Sequence, residues 1–385
     1  MRALCATGDG GLAVREVPDP ELRNGHDVIV RVRQSVTCGG DLHLLDSGAL
    51  RPGDVLGHEF LGEVVEVGPR VRRHRVGDRV VVASVVACGR CWHCRQGWYS
   101  CCDNGTVEPP VDEAAWGQTP AGCYGHPSAS GGFAGSHAEY VRVPYADVGA
   151  FRVPDGVDDD RAVFASDAVP TAWAGVELGG VRPGDVVAVW GAGAVGQLTA
   201  RAAVLHGAAR VVVVDRYDDR LDMVARHVGV DTLNYRRADV PAELVERSGG
   251  RGPDVCVEAA GSLDGSRWLA DRLPDRLRGT PRTPLALREA VHACRKGGTV
   301  VVLGEVTGFV DTFPAGAVVR KGLSVRGGRP HGPRYIPALL DRMARDELRT
   351  EHLATHRFPL REGAAGYALF RNRADGCVRV VLTPD

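Results

Sequence analysis

Four cysteines follow one another at short intervals in the stretch CGRCWHCRQGWYSC, namely Cys88, Cys91, Cys94 and Cys102. Four thiolates held by one short loop make a closed tetrahedral site for zinc, with no position left for a substrate. Cys101 competes with Cys102 as the fourth ligand, and the spacing favours Cys102. A cluster of disulfide bridges would instead require a secreted chain. The stretch therefore predicts a structural zinc site.

A second group of metal-binding side chains is spread along the chain. Cys38 lies in TCGGDLH, the motif GHE supplies His58 and Glu59, and Asp167 lies in FASDAVPTAWAG. Three ligands from separate segments, Cys38, His58 and Asp167, leave a fourth position open, as in a catalytic zinc site. One thiolate and one carboxylate neutralise the divalent ion, which can still polarise an oxygen atom. Glu59 either supports the site as an outer carboxylate or displaces water from zinc during turnover. Four further histidines have no companion at useful spacing and are predicted to be ordinary: His74, His93, His126 and His206.

A glycine-rich turn, GAGAVG, follows a predicted strand and opens a predicted helix. Gly191 permits the tight turn, Gly193 lets the backbone approach a pyrophosphate, and Gly196 lets helix and strand pack closely. The pyrophosphate would lie at the positive N-terminus of the helix. Ala194 and Val195 lie between these glycines and belong to the predicted cofactor site.

The next strand, which follows the helix opened by this turn, ends in Asp215. A carboxylate there can accept hydrogen bonds from both hydroxyls of the adenine ribose, and it would repel a 2′-phosphate. Arg216 follows at once and could partner such a phosphate if Asp215 turned away. The sequence therefore predicts NAD as the cofactor in preference to NADP.

The elements that must position these residues form two patterns. From about residue 185, β-branched runs alternate with helical segments, which predicts a parallel, doubly wound sheet of the α/β class. A polar, proline-containing stretch, 262–284, interrupts that rhythm and is predicted to be an inserted loop. The earlier part of the chain consists of short β-branched runs separated by Gly, Pro and Asp: 28–33, 60–68, 78–82 and 137–143.

Composition limits the possible functions. The 385 residues suffice for two domains, and the net charge of -1 gives no electrostatic reason to expect nucleic acid or an anionic membrane as partner. No apolar run approaches the roughly 20 residues of a membrane helix, and the N-terminus lacks a signal-peptide core. We therefore expect a cytoplasmic protein, in which eleven cysteines serve as metal ligands and buried thiols.

Together, the motif GHE, the four-cysteine stretch and GAGAVG, in this order, resemble the zinc-dependent medium-chain alcohol dehydrogenase family over nearly the whole chain. Within that family the chain is most similar to the glutathione-independent formaldehyde dehydrogenase group, which has aspartate where most relatives have a cysteine ligand. The resemblance implies a GroES-like β-barrel domain over 1–167, a Rossmann domain over 168–328 and a return to the first domain over 329–385. It also implies one catalytic and one structural zinc, NAD, a small-molecule substrate, and a homo-oligomer that is a dimer or a tetramer.

The resemblance further implies hydride transfer between NAD(H) and an alcohol, aldehyde hydrate or ketone at the catalytic zinc. In most relatives a Ser or Thr two residues after the cysteine ligand passes the proton toward a histidine; here that position is Gly40, while His43 is present. Three explanations for Gly40 stay open. A water molecule or a substrate hydroxyl takes the place of the missing side-chain hydroxyl, the glycine makes space for a bulkier substrate, or the natural reaction is a reduction at carbon. The alternative function is a biosynthetic tailoring enzyme with tightly held NAD(H), performing redox-neutral chemistry or C=N or C=C reduction.

Overall fold

The computed structural model describes residues 1–47, 49–106, 117–126, 132–261, 285–305 and 313–384. The chain divides into two compact units: the first comprises Met1–Pro170 and Pro330–Asp385, and the second comprises Thr171–Arg329. The sequence placed these boundaries at 167/168 and 328/329. The predicted inserted loop 262–284 lies outside the described residues.

The β-strands of the described residues are numbered in chain order. They are β1 Arg2–Ala6, β2 Leu12–Glu16, β3 Val28–Val36, β4 Glu59–Val67, β5 Arg79–Val82, β6 Tyr140–Val143, β7 Ala150–Arg152, β8 Val186–Trp190, β9 Arg210–Asp215, β10 Asp231–Asn234, β11 Val255–Glu258, β12 Thr299–Val302, β13 Ser324–Gly327, β14 His356–Pro359 and β15 Val380–Thr383.

The α-helices of the same residues are numbered likewise. They are α1 Gly39–Ser47, α2 Trp92–Arg95, α3 Ala146–Gly149, α4 Asp159–Ala162, α5 Ala168–Gly179, α6 Ala194–Leu205, α7 Asp218–His227, α8 Val240–Arg247, α9 Leu285–Ala293, α10 Ala315–Lys321, α11 Gly332–Ala344 and α12 Gly363–Asn372. Short 3₁₀ helices cover Tyr99–Cys101, Val163–Ser166, Glu351–Leu353, Leu360–Glu362 and Ala374–Gly376. Within the described ranges, no helix is both long enough and apolar enough to cross a membrane.

The second unit is built on a six-stranded sheet in the order β10-β9-β8-β11-β12-β13, with every pair parallel. Successive residues along each strand point to opposite faces of the sheet. On β8, Val187 and Val189 join one buried apolar cluster, while Ala188 and Trp190 join the other. Burial on both faces explains the continuous apolar runs in the sequence. The predicted doubly wound sheet is confirmed.

The first unit contains a largely antiparallel seven-stranded sheet that follows the path β14-β15-β3-β4-β5-β7, with β6 paired to β3. Its buried core includes alternate residues of β3 and β4, among them Val28, Val30, Phe60 and Val64. The strand pair β14–β15 comes from the C-terminal segment, and β15 pairs antiparallel with β3. Residues that are remote along the chain are therefore brought beside the start of β4.

Candidate active site

The side chains predicted to bind a catalytic metal converge within the first unit. Cys38 directly precedes α1, His58 precedes β4, Glu59 is the first residue of β4, and Asp167 lies between the 3₁₀ helix Val163–Ser166 and α5. Their ligand atoms, one for each residue, all lie within 4.8 Å of one another. His58 and Glu59 are buried, and Cys38 and Asp167 are partly exposed. We call Cys38, His58, Glu59 and Asp167 the first ligand set.

Sequence reasoning missed Asp41, a fully buried carboxylate on α1 that supports this set. Its Oδ1 lies 3.2 Å from Nδ1 of His58, and its Oδ2 accepts a hydrogen bond from the Cys38 backbone N–H at 2.8 Å. Burial opposes charge on both side chains, but their mutual attraction lowers the pKa of Asp41 and raises that of His58. Asp41 therefore keeps the Nδ1 side of His58 occupied and leaves Nε2 for a metal.

Asp41 is itself held by a buried chain of hydrogen bonds. The hydroxyl of Tyr367, on α12, donates to Asp41 Oδ2 at 2.7 Å and lies 2.7 Å from Nε2 of His137. Nδ1 of His137 lies 2.7 Å from the hydroxyl of Ser35, on β3. Burial lowers the pKa of His137 to about 4, so this imidazole is neutral at pH 7. The chain links the C-terminal segment to the orientation of His58.

Glu59 faces an arginine from the C-terminal segment. The Arg379 guanidinium lies 3.0 Å from Glu59 Oε1 and also donates to the carbonyl of Thr37. Glu59 is fully buried, and burial raises its pKa to about 7 despite the nearby positive charge. Arg379 therefore favours the charged form of Glu59, because without this cation the buried carboxyl would take up a proton more readily.

The carboxylate of Asp167 and the backbone of Gly40 complete the surroundings of the first ligand set. The Ser84 hydroxyl donates to Asp167 Oδ1 at 2.5 Å and so fixes that carboxylate. A Cβ added at Gly40 would meet His58 Cε1 at 3.8 Å and Cys38 Sγ at 3.9 Å, which is ordinary van der Waals contact. Gly40 therefore leaves open a position beside the ligand atoms that a small side chain could occupy.

The predicted proton acceptor His43 is buried on α1, two residues beyond Asp41. Within the described residues, His43 is not part of any group of side chains that could hold a metal ion together. His126, which the sequence analysis treats as isolated, is instead beside the first ligand set, and that prediction is wrong. Its ring centroid lies 5.6 Å from that of His58, in an edge-to-face arrangement. Spacing could not reveal this pair, because the two residues lie on separate segments.

The four cysteines Cys88, Cys91, Cys94 and Cys102 form a second convergent group, with ligand atoms within 4.8 Å of one another. Cys101 is exposed and lies outside this group. Backbone N–H groups point at the sulfurs: the amide of Cys88 donates to Cys102 Sγ at 3.2 Å, and the amide of Cys91 donates to Cys88 Sγ at 3.4 Å. Such donors stabilise thiolates, which are the form that binds zinc.

The pKa values of Cys88, Cys94 and Cys102 are shifted in different directions. Burial opposes ionisation of Cys88, yet the amides of Arg90 and Cys91 and the side chain of Asn104 lower its pKa to about 6. Burial raises the pKa of Cys102 to about 12 and raises that of Cys94 further above its usual range. A bound cation would supply the charge that four neighbouring thiolates need. The donor set, its closeness and its surroundings fit a zinc ion.

The glycine-rich turn of the second unit lies between β8 and α6. Gly191 has φ of +103°, and a Cβ there would lie 2.8 Å from the carbonyl oxygen of Ala259. A Cβ on Gly196 would overlap the carbonyl oxygen of Gly191. Gly193 caps α6, and a Cβ there would meet only the Arg220 side chain at 3.9 Å. The space over Gly193, at a helix N-terminus, fits a pyrophosphate.

Asp215 ends β9 and faces this turn. Its Oδ2 accepts a hydrogen bond from the Ala192 N–H at 2.6 Å, and its Oδ1 accepts from the Arg216 N–H at 2.6 Å. The Arg216 guanidinium stacks on the ring of Tyr217 at 4.9 Å and donates to its hydroxyl. The carboxylate is thus fixed beside the glycine turn, while the Arg216 side chain is engaged by its neighbour. Ala194 and Val195 form the first turn of α6.

Comparison with known proteins agrees with this arrangement. The model of the alcohol dehydrogenase GroES-like domain matches residues 24–155, and that of the zinc-binding dehydrogenase domain matches residues 194–267. The GroES-like domain and the Rossmann-like domain predicted from the sequence are therefore confirmed. The matches favour a dehydrogenase over the tailoring enzyme considered as the alternative.

Three similar proteins illustrate the likeness. Formaldehyde dismutase of Pseudomonas putida is 34% identical over 78% of this chain and 74% of its own length. The alcohol dehydrogenase TADH from Thermus sp. ATN1 has a TM-score of 0.85 and 32% identity, with both chains covered completely. A zinc-binding dehydrogenase from Sinorhizobium meliloti 1021, solved with NADP, has a TM-score of 0.76 and 28% identity, covering 100% of this chain and 99% of its own.

Proposed function

We propose the metal sites, cofactor and substrate class of this protein from its family. The chain belongs to the zinc-dependent medium-chain alcohol dehydrogenase family and is therefore a zinc-dependent dehydrogenase with a nicotinamide cofactor. Cys38, His58 and Asp167 hold one catalytic zinc, and the four-cysteine group holds one structural zinc. The cofactor is NAD, and the substrate is an alcohol, an aldehyde hydrate or a ketone. The protein acts as a homo-oligomer, a dimer or a tetramer, in the cytoplasm.

The observation that carries the proposal is the convergence of the first ligand set within 4.8 Å. Within the set, Cys38, His58 and Asp167 offer a thiolate, an imidazole and a carboxylate from three segments. Three such ligands leave a fourth coordination position open, as in a catalytic zinc site. Zinc bound there would supply Lewis acidity to a substrate oxygen, and the nicotinamide would exchange hydride with the substrate carbon.

The chain's own residues prepare this site before any substrate arrives. The Asp41 carboxylate, 3.2 Å from Nδ1 of His58, favours a proton on Nδ1 and so leaves Nε2 for the metal, and Ser84 fixes the carboxylate of Asp167. Arg379 balances the buried charge of Glu59. We assign Glu59 as a supporting carboxylate beside the metal rather than as a permanent ligand, because its pairing with Arg379 offsets the charge that zinc would otherwise have to balance.

The proton that leaves an alcohol needs a carrier, and the family's hydroxyl is absent at Gly40. We propose that a water molecule or a substrate hydroxyl fills the position beside His58 and carries the proton toward His43. Because a Cβ at Gly40 meets its nearest neighbours at 3.8 and 3.9 Å, Gly40→Ser should fold normally. If the carrier limits the reaction, Gly40→Ser raises kcat for alcohol oxidation, whereas Gly40→Ala, which fills the same space without a hydroxyl, does not. Equal effects of both variants would refute the missing-carrier explanation.

The preference for NAD rests on the buried carboxylate of Asp215 beside the glycine turn. A 2′-phosphate placed against that carboxylate would meet like charge, which costs several kcal/mol. We expect NAD to bind about tenfold or more tightly than NADP, and Asp215→Gly to reduce this ratio. Titration of the purified protein with each cofactor, followed by fluorescence, measures the two affinities and their ratio. Tighter binding of NADP by the wild type would contradict the assignment and point to Arg216.

Metal analysis tests the stoichiometry directly. The proposal requires two zinc ions per chain, with Cys38→Ser binding the catalytic ion more weakly than the wild type does and Cys91→Ser losing the structural one. A wild-type protein that holds one zinc when fully loaded would contradict the two-site assignment. Substrate specificity is then screened across alcohols, aldehydes and ketones with the fully loaded enzyme.

A further inference from the structure

Besides the first ligand set and the four cysteines, another convergent group of side chains able to bind a metal lies beside the first ligand set. The ligand atoms of His58, Cys123 and His126 all lie within 4.8 Å of one another. Cys123 and His58 are buried, at 5% exposure each, and His126 is partly exposed. We call His58, Cys123 and His126 the second ligand set. It shares one residue, His58, with the first.

Backbone pairing explains why this second set forms. Cys123 forms an antiparallel bridge with Val85, and its thiol donates to the carbonyl of Ser84 at 3.0 Å. The amide of Tyr124 donates to the same carbonyl. Ser84 therefore lies between the two sets, because its hydroxyl binds Asp167 of the first while its carbonyl holds Cys123 of the second.

We propose that the second ligand set is an alternative position for the metal, in which His58, Cys123 and His126 hold a divalent ion such as zinc. The inference rests on the proposed function, since it takes the first set as the resident position. Asp41 occupies the Nδ1 side of His58 at 3.2 Å, so only Nε2 is left to bind an ion. One nitrogen binds one ion at a time, and the two positions are therefore occupied in turn.

Charge decides which position the ion prefers. In the first set, the Cys38 thiolate and the Asp167 carboxylate cancel the two positive charges of zinc, because the carboxylate of Glu59 is paired with Arg379. In the second set, one thiolate and two neutral imidazoles leave a net positive charge, which is less favourable in a partly buried site. Nitrogen and sulfur donors nevertheless suit Zn²⁺ and Co²⁺. The second position should therefore fill when the first has lost its anionic ligands.

The test uses three variants of the 385-residue chain, with Co²⁺ or Zn²⁺ alone as the probe. Cys38→Ser/Asp167→Asn removes the thiolate and the Asp167 carboxylate from the first set, leaves Glu59 paired with Arg379, and keeps the second set intact. Adding Cys123→Ser to that variant removes the thiolate of the second set. Metal per chain is measured after removal of free ion, and the thiolate-to-cobalt absorption is recorded.

We expect two ions per chain in the wild type, two in the double variant and one in the triple variant, with cobalt–thiolate absorption falling at the last step. The remaining ion in the triple variant, held by the four-cysteine group, and an unchanged circular dichroism spectrum show that the fold persists. A double variant that holds only one ion, beside a wild type that holds two, would overturn the second position alone. A wild type that holds one ion would instead overturn the resident catalytic site. His126→Gln in the double variant gives an independent check, because it should also lower the count to one.

Discussion

Replacing Asp41 with Asn should weaken metal binding at the first ligand set while leaving the four-cysteine group unaffected. Asp41 is fully buried, and its two oxygens face different partners. Oδ2 accepts hydrogen bonds from the Cys38 N–H and the Tyr367 hydroxyl, at 2.8 and 2.7 Å, and Oδ1 lies 3.2 Å from His58 Nδ1. Asparagine has nearly the same shape, so the substitution tests charge and hydrogen bonding rather than packing.

Neither orientation of the asparagine amide satisfies these partners. With its nitrogen on the Oδ2 side, the amide faces two donors and loses two hydrogen bonds, at about 1–3 kcal/mol for each unsatisfied group. With its nitrogen facing His58, it favours the tautomer that carries the proton on Nε2, the atom that must bind the metal. Substitutions of such supporting groups typically cost 10–100-fold in metal affinity, or about 1.4–2.7 kcal/mol.

Chelator competition on the wild type and Asp41→Asn, with zinc counted per chain, measures the loss. The four-cysteine ion serves as an internal control, since it should be retained equally in both. Asp27→Asn is the matched variant, because Asp27 is also fully buried, accepts backbone N–H groups and pairs with Arg142 away from the first ligand set. If Asp41→Asn bound the catalytic zinc within twofold of the wild type, the supporting role of Asp41 would be refuted.

Two further predictions follow from the glycine turn and the four-cysteine group. Gly193→Ala should have a free energy of unfolding within about 0.5 kcal/mol of the wild type, since its Cβ meets only a side chain at 3.9 Å. It should bind NAD about tenfold or more weakly, because the added methyl group blocks the pyrophosphate. Gly196→Ala, by contrast, should lower the free energy of unfolding by about 1–3 kcal/mol through overlap with the backbone; equal stability of the two variants in a urea titration would contradict this. Between pH 7 and 9 the metal-free Cys88 is a thiolate, while Cys94 and Cys102 are thiols because their pKa values are raised. Zinc binding must then release at least two protons, so the affinity for zinc should rise by about 100-fold per pH unit. Calorimetry in two buffers of different ionisation enthalpy counts the released protons. Zinc binding without proton release would disprove the assigned ionisation states.

Features made by neighbouring residues were predictable from the sequence. The four cysteines lie within one short stretch, so their spacing alone brings the sulfurs together. The glycine turn is likewise local, because Gly191, Gly193 and Gly196 act on one strand, one turn and one helix. The alternation of β-branched runs with helical segments predicted the doubly wound sheet.

The first ligand set was an intermediate case. Its residue types, on three separate segments, suggested Cys38, His58 and Asp167 as ligands, and the resemblance to a known family supported that prediction. The two neighbouring histidines differ in this respect: His58 stands in the motif GHE, whereas nothing in the sequence around His126 marks it. The structure alone placed His126 beside His58.

The supporting groups depend entirely on tertiary structure. Tyr367 reaches Asp41 across 326 residues of chain, and Arg379 reaches Glu59, because β15 of the C-terminal segment pairs with β3. Such contacts follow from strand register and packing, which join segments without a fixed spacing in sequence. The sequence by itself therefore determined which chemistry the chain carries, whereas the packed fold decided which side chains orient the ligands, since burial and hydrogen-bond partners exist only once distant strands have met.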